Sequence, residues 1–341
     1  MKIGIVTVYE PTTNMGSFLQ AYALKKALEK LGHEVYIIQN ISTIKEILKL
    51  VMRVNPKREF FLRLKKAWFA KNDIKKLKLL NKSFVHNLDG LVYGSDEIWN
   101  LDNPYFMNGF FWGKDIELPK ISYAVSMGAM DDEKICKYKS FVESIKEFRF
   151  ILVRDIKTQR IIKKIRETEN NIVCDPTMLI PIEELTENIK PLKYKYILVY
   201  TYGIDALMIE YIRKFSDKYG LKIVSVCFWH IWADVVIECS ALNFSSYIKN
   251  AEFVFTTTFH GAVFSMLNHK RCCIFPYRSK VKNIVEQMGE ESHLVENNCT
   301  YEEFETTIQI KFDSYLFEER LEKYRRYSQK KLEEALKCLI K

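Results

Sequence analysis

The chain predicts an α/β protein with two Rossmann-like halves and a ligand cleft between them. Three observations carry this. Short runs of β-branched and aromatic residues alternate with helix-period segments from end to end, the pattern of parallel strands joined by helices. The 341 residues suffice for two domains of ordinary size, and 48% of them are apolar, enough for each to bury a core. Near the middle, residues 181–191 form a polar, proline-flanked stretch that reads as a linker. The expected division is therefore residues 1–185, residues 190–315, and a C-terminal helix over 316–341.

The first strand, residues 2–8, reads Lys2-Ile3-Gly4-Ile5-Val6-Thr7-Val8 and leads into a loop with Pro11, Asn14 and Gly16. A helix follows with Leu19, Tyr22, Ala23, Ala27, Leu28 and Leu31 on one side, ended by Gly32, and residues 35–38 form the next strand. Strands are expected at 90–93, 120–124, 150–153 and 171–173, with helices over 131–147 and 155–166. After the linker, the alternation resumes with strands at 196–200, 221–226, 253–256 and 272–275. Residues 314–340 contain neither Gly nor Pro and read as a charged helix.

Charge is unevenly placed. The net charge is +9, yet residues 41–85 alone hold thirteen Lys or Arg against three Asp or Glu, which leaves the remainder at −1. Within that segment Phe60, Phe61, Leu62, Leu64, Trp68 and Phe69 alternate with Arg63, Lys65, Lys66 and Lys71. Such a helix suits an anionic membrane surface or an ordinary solvated domain edge. No nucleic-acid-binding motif appears, so nucleic acid is not an expected partner. Nothing at the N-terminus resembles a signal peptide and no apolar run spans a bilayer, so the expected location is cytoplasmic, peripheral at the inner face of the membrane if the basic segment docks there. The eight cysteines lack CxxC spacing, and Cys174, Cys227, Cys272 and Cys273 sit in or beside strand-like runs as small core residues. No metal or cofactor is expected.

The residues with chemical potential cluster at strand-to-helix junctions, where open α/β sheets bind ligands. After the run Phe253-Val254-Phe255 come Thr256-Thr257-Thr258-Phe259-His260-Gly261, placing His260 at the start of a helix. Histidine exchanges protons near neutral pH, which makes His260 a candidate general acid/base as well as a capping or structural residue. Asn14-Met15-Gly16-Ser17 opens the first helix and offers an anion site at its N-terminus, or simply a Ser17 cap and a turn. In Gly94-Ser95-Asp96-Glu97-Ile98-Trp99-Asn100, the carboxylates suit sugar hydroxyls and Trp99 suits a sugar ring; capping by Ser95 or Asp96 with Trp99 in the core fits the same letters. Arg154, at the end of the strand at 150–153, suits a carboxylate or phosphate, or a surface ion pair. Asp175-Pro176-Thr177 reads mainly as a structural turn. Arg278 and Lys280 flank the start of a further helix and suit an anion.

Taken in order, these motifs resemble the polysaccharide pyruvyl transferase family. The resemblance is carried by NMGSFLQAYAL from Asn14, GSDEIWN from Gly94, YAVSMG from Tyr123, Val153-Arg154-Asp155, Asp175-Pro176-Thr177, TTTFHG from Thr256 and Ser279-Lys280-Val281, and covers nearly the whole chain. It implies a fold similar to that of B-type glycosyltransferases. It also implies transfer of pyruvate from phosphoenolpyruvate onto a sugar of a bacterial surface polysaccharide or its lipid-linked precursor, as a cyclic ketal. By position it implies His260 as general acid/base, Arg154, Lys280, Arg278, Thr258 and Gly261 as donor-binding, and Asn14, Gly16, Ser17, Ser95, Asp96 and Trp99 as acceptor- or anion-binding. Two positions depart from the family pattern: Thr258 stands where characterised relatives carry arginine two residues before the histidine, and Lys280 where arginine is frequent. A glycosyltransferase-like enzyme using a nucleotide sugar, or a non-catalytic member of a surface-glycan pathway, are the alternative expectations.

Overall fold

The computed structural model describes residues 1–10, 14–39, 57–168, 170–296 and 298–340, with the backbone alone for 57–60. Two parallel sheets form in sequence order, because most apolar strand runs are followed by a helix that crosses the sheet before the next parallel strand. The first sheet contains β1 (Lys2–Val6), β2 (Glu34–Gln39), β3 (Leu79–Asn81), β4 (Gly90–Tyr93), β5 (Lys120–Val125), β6 (Phe150–Val153) and β7 (Asn171–Ile172), in the spatial order β3-β2-β1-β4-β5-β6-β7. The second contains β8 (Tyr196–Tyr200), β9 (Lys222–Val226), β10 (Val235–Ile237), β11 (Phe253–Thr256) and β12 (Cys272–Ile274), ordered β10-β9-β8-β11-β12. Every pairing is parallel. The order reverses between β1 and β4 in one sheet and between β8 and β11 in the other, and the crevices at these reversals are where doubly wound sheets take ligands.

The helix Met15–Lys30 differs from its sequence reading. It is buried on almost every side, from Met15 through Ala21 and again at Ala23, Leu24, Ala27 and Leu28, while Leu31 just beyond it is 40% exposed. A helix apolar all round must be covered all round. This one is, since it lies against both the helix Pro176–Leu179 and the helix Ala241–Asn250. One apolar core consequently runs from Phe18, Leu24 and Met178 to Phe244, Phe264 and Ile284 without a polar break.

Three other expectations change. The helix foreseen over 131–147 is confined to Lys139–Lys146, because Asp131 accepts from the Glu133 and Lys134 backbone N–H groups, through its side chain and carbonyl respectively, and turns the chain. The stretch 181–191 is docked, not free: Leu185 is fully buried and the Glu187 carbonyl accepts from Asn243 and Ser246 of the second half. The helix Ser314–Lys337 returns to the first half, where the Ser328 hydroxyl accepts from the Cys174 N–H at 2.9 Å and Arg325 donates to the Met178 carbonyl at 2.9 Å. Cys174, Cys227, Cys272 and Cys273 are buried free thiols.

Part of the basic segment, residues 41–56, lies outside the described residues. The rest opens with the helix Lys57–Lys75, which docks on the second half. On its inner side Asp73 accepts from the Ala241 N–H at 2.8 Å and Lys66 donates to the Cys227 carbonyl at 2.8 Å. Its outer side leaves Phe61 70% and Trp68 61% exposed. No helix among the described residues is long and apolar enough to cross a membrane.

Candidate functional site

The two sheet reversals face each other across a cleft of about 610 Å³. Its first-half wall comes from the loops after β1 and β4, with Val8, Glu10, Asp96 and Glu97, and from Asn14 and Ser17 of the helix start. Its second-half wall comes from the loops after β8, β11 and β12, with Tyr202, Thr257, Thr258, His260, Tyr277, Arg278 and Lys280.

His260 occupies the first turn of the helix Phe259–Leu267, which Thr258 caps by accepting the Gly261 N–H at 3.0 Å. Gly261 is required there: a Cβ would sit 2.0 Å from Oγ1 of Thr256. Across the domain boundary, Gly16 is required for the same reason, since its Cβ would lie 1.9 Å from Nδ1 of His260. The imidazole is thus held by backbone from the opposite half. Its Nε2 is buried, has no hydrogen-bond partner among the described residues, and stands 3.8 Å from Oδ1 of Asp175.

Asp175 links this histidine to Arg154. Its Oδ2 accepts from Nη1 of Arg154 at 2.7 Å, and its Oδ1 accepts the Thr177 N–H and hydroxyl at 3.0 and 2.7 Å. Burial alone would raise its pKa, but His260, Arg154 and the Thr177 N–H together hold the carboxyl well below the usual range. The Arg154 guanidinium also reaches Asp96 at 3.5 Å and lies 4.6 Å from the centre of the Phe259 ring. Burial disfavours its charge, yet Asp175 and Asp96 push its pKa upward. Arg154 therefore remains a cation, neutralised from behind the cleft wall.

Around the opening, Lys280 of the second half pairs with Glu97 of the first at 2.7 Å, a strap across the cleft. Asp96 and Glu97 both titrate below their ordinary values in spite of burial, Asp96 chiefly through Arg154 and Glu97 chiefly through Lys280. Arg278, exposed at the N-terminus of the helix Ser279–Gln287, has no carboxylate partner among the described residues. The cleft can therefore offer an anion Arg278, an exchangeable Lys280, the hydroxyls of Thr257 and Thr258, and a proton carrier at His260. No group of three or more His, Cys, Asp or Glu among the described residues is placed to hold a metal ion.

Of the residues singled out in the sequence, His260, Thr258, Lys280, Arg278, Asn14, Ser17 and Asp96 line the cleft. Arg154, Gly16 and Gly261 stand immediately behind it. Trp99 does not reach it. Its ring is fully buried, its Nε1 donates to the Phe111 carbonyl at 2.9 Å, and it stacks on Trp112, so it is core and not a sugar platform. Ser95 is also fully buried, donating to Gln20. The helix cap is Asn14, whose Oδ1 accepts from the Ser17 N–H, while the Ser17 hydroxyl donates to the Glu10 carbonyl at 3.0 Å. Two contributors were missed. Asp175, read as a turn residue, is the carboxylate joining Arg154 to His260. Gln20, though within the stretch NMGSFLQAYAL, was given no role, yet its amide donates to Thr7, Val8 and Ser17 and accepts from Ser95, tying the β1 and β4 loops together.

A family model described as polysaccharide pyruvyl transferase matches residues 14–279. No curated protein sequence matches the chain. Among solved structures, the chain is similar to the UDP-GlcNAc 2-epimerase of Methanocaldococcus jannaschii, with a TM-score of 0.55 and 12% identity over 92% of this chain and 93% of that one. It is similar to S. aureus MnaA in its structure with UDP, with a TM-score of 0.53 and 11% identity over 96% and 90% of the two chains. Phytolacca americana UGT2, complexed with UDP-2fluoro-glucose and pterostilbene, aligns over the full length of both chains with a TM-score of 0.50 and 10% identity. At such identities the likeness is one of fold, the two-domain glycosyltransferase-B arrangement.

Proposed function

Because this chain belongs to the polysaccharide pyruvyl transferase family, and is by that a transferase, we propose that it moves pyruvate from phosphoenolpyruvate onto two hydroxyls of a surface-glycan sugar. One observation carries the reading: a histidine whose Nε2 is backed by Asp175 at 3.8 Å shares a cleft with two cations at a helix N-terminus. A helix N-terminus with Arg278 and Lys280 suits the donor's phosphate and carboxylate. Lys280 exchanges Glu97 for the donor, freeing that carboxylate beside the acceptor.

In this reaction His260 protonates the donor's methylene carbon, and the adjacent carbon becomes electrophilic. The first sugar hydroxyl adds there and loses its proton; the carbon–oxygen bond to phosphate breaks; the second hydroxyl adds and closes the ketal. Of the two protons released, one restores His260 and the other leaves with the phosphate. Asp175 stabilises the protonated imidazole, and Arg154 keeps Asp175 ionised. The test is calorimetric titration with phosphoenolpyruvate, with phosphorus NMR of phosphate release on adding acceptor glycans. Saturable binding that is lost in Arg278→Ala supports the reading. Binding of a nucleotide sugar in place of phosphoenolpyruvate would move the chain to sugar transfer on the same scaffold.

The reaction belongs at the cytoplasmic face of a membrane if the acceptor is lipid-linked. The outer side of the helix Lys57–Lys75 supports this: Phe61, Leu64 and Trp68 are exposed at helical spacing among Lys65, Lys71 and Lys75.

A further inference from the structure

With Trp99 buried, the cleft still carries aromatic rings, and the exposed ones among them are three tyrosines. Tyr202 is 63% exposed, Tyr277 48% and Tyr105 42%, and all three line the cleft. Each is braced edge-on by a phenylalanine: Tyr202 by Phe228 at 4.9 Å and 66°, Tyr277 by Phe275 at 4.6 Å and 72°, Tyr105 by Phe106 at 5.3 Å and 76°. Such edge contacts fix the ring plane before any ligand arrives.

Their placement follows from topology. The second sheet runs β8-β11-β12, so the loop bearing Tyr202, the junction bearing His260 and the loop bearing Tyr277 lie side by side in that order. Neighbouring strands are about 4.8 Å apart, so the two tyrosine loops are separated by roughly 10 Å with His260 between them. Tyr105 faces this row from the first half, and Asn103 and Glu10 supply polar groups on the same wall. The cleft of about 610 Å³ is larger than a three-carbon phosphorylated acid needs.

We infer that Tyr202, Tyr277 and Tyr105 form a carbohydrate-binding rim on which an oligosaccharide of at least two pyranose rings lies across the strand ends, with the sugar to be modified over His260. The apolar faces of pyranose rings stack on tyrosine, while their hydroxyls meet Asn103, Glu10 and the carboxylates of the β4 loop. The inference rests on the proposed pyruvyl transfer for the identity of the reacting sugar, though not for the stacking itself.

The experiment is binding of the full chain to an array of defined bacterial surface oligosaccharides, in parallel with calorimetry using phosphoenolpyruvate and using UDP. Wild type, Tyr202→Ala/Tyr277→Ala and Tyr202→Phe/Tyr277→Phe are compared, with matched thermal melts as the folding control. The expected result is glycan binding weakened about tenfold or more by the alanine pair and kept by the phenylalanine pair. Phosphoenolpyruvate binding is expected to be unchanged in both pairs. Glycan binding with Tyr dependence but no phosphoenolpyruvate binding would leave the rim standing and overturn the donor. Equal glycan binding in the alanine pair, no glycan binding by wild type, or loss of UDP binding as the sole effect would each overturn the rim.

Discussion

Gly16 and His260 come from opposite halves of the molecule and touch so closely that a Cβ on Gly16 would stand 1.9 Å from the imidazole Nδ1. The first turn of the helix Met15–Lys30 therefore sets where the histidine of the second half can be. Gly16→Ala must displace the ring. A misplacement of that order costs about 100-fold in rate when the geometry of a proton donor is involved. We expect phosphoenolpyruvate-dependent phosphate release to fall by that factor while the far-ultraviolet circular dichroism is kept. Full activity in Gly16→Ala would show that the ring position is not critical.

Asp175 shields one buried cation and one imidazole, so Asp175→Asn leaves Arg154 without its closest counter-charge. The expected loss is about 3 kcal/mol of stability at neutral pH. Because the folded carboxyl titrates below its unfolded value, its contribution is present above about pH 4 and fades as the pH falls through the folded value. Urea unfolding should show the gap between wild type and Asp175→Asn narrowing in acid. A gap that stays constant from neutrality to pH ~3 would refute the linkage.

Asp73 has the opposite sign. It is buried at the contact between the helix Lys57–Lys75 and the second half, and burial pushes its pKa up to about 6 against the opposing Ala241 N–H and Lys76. The favourable proton uptake is complete below the unfolded value and is lost as the pH rises through about 6. Asp73→Asn keeps an acceptor for Ala241 without the charge. It should match wild type near pH 4 and exceed it by about 2–3 kcal/mol at pH 8. Lower stability of the variant at pH 8 would mean that the ionised carboxylate is favourable there.

Trp68→Glu places a charge in the exposed stripe of that same helix without touching its docked face. Wild-type protein should co-sediment with vesicles containing anionic phospholipid and be released by high salt, whereas the variant should remain in the supernatant. Equal sedimentation of wild type with neutral vesicles would exclude the electrostatic part of the contact.

The alternation of strand and helix periods, and the gathering of His260, Asp96 and Arg278 at strand ends, were legible in the chain because both depend on neighbours within a few residues. Secondary-structure period and turn chemistry are local. Which side chains face ligand is not. Trp99 follows the same kind of junction as His260, yet it is drawn into the core by Trp112 and Phe148. Arg154 sits at a strand end as expected and is turned away from the cleft by Asp175, a partner 21 residues on. Gln20 looks like any polar letter in a helix until Thr7, Val8 and Ser95 of two loops converge on its amide.

What the sequence by itself determined was the pair of parallel α/β halves and the family to which the ordered motifs point. Only the tertiary structure decided that the first helix is enclosed by both halves, that Gly16 sets the place of His260, and that tyrosines, not Trp99, rim the cleft. The reason is that burial and close approach are fixed by atoms far apart in the chain, whose positions no local pattern encodes.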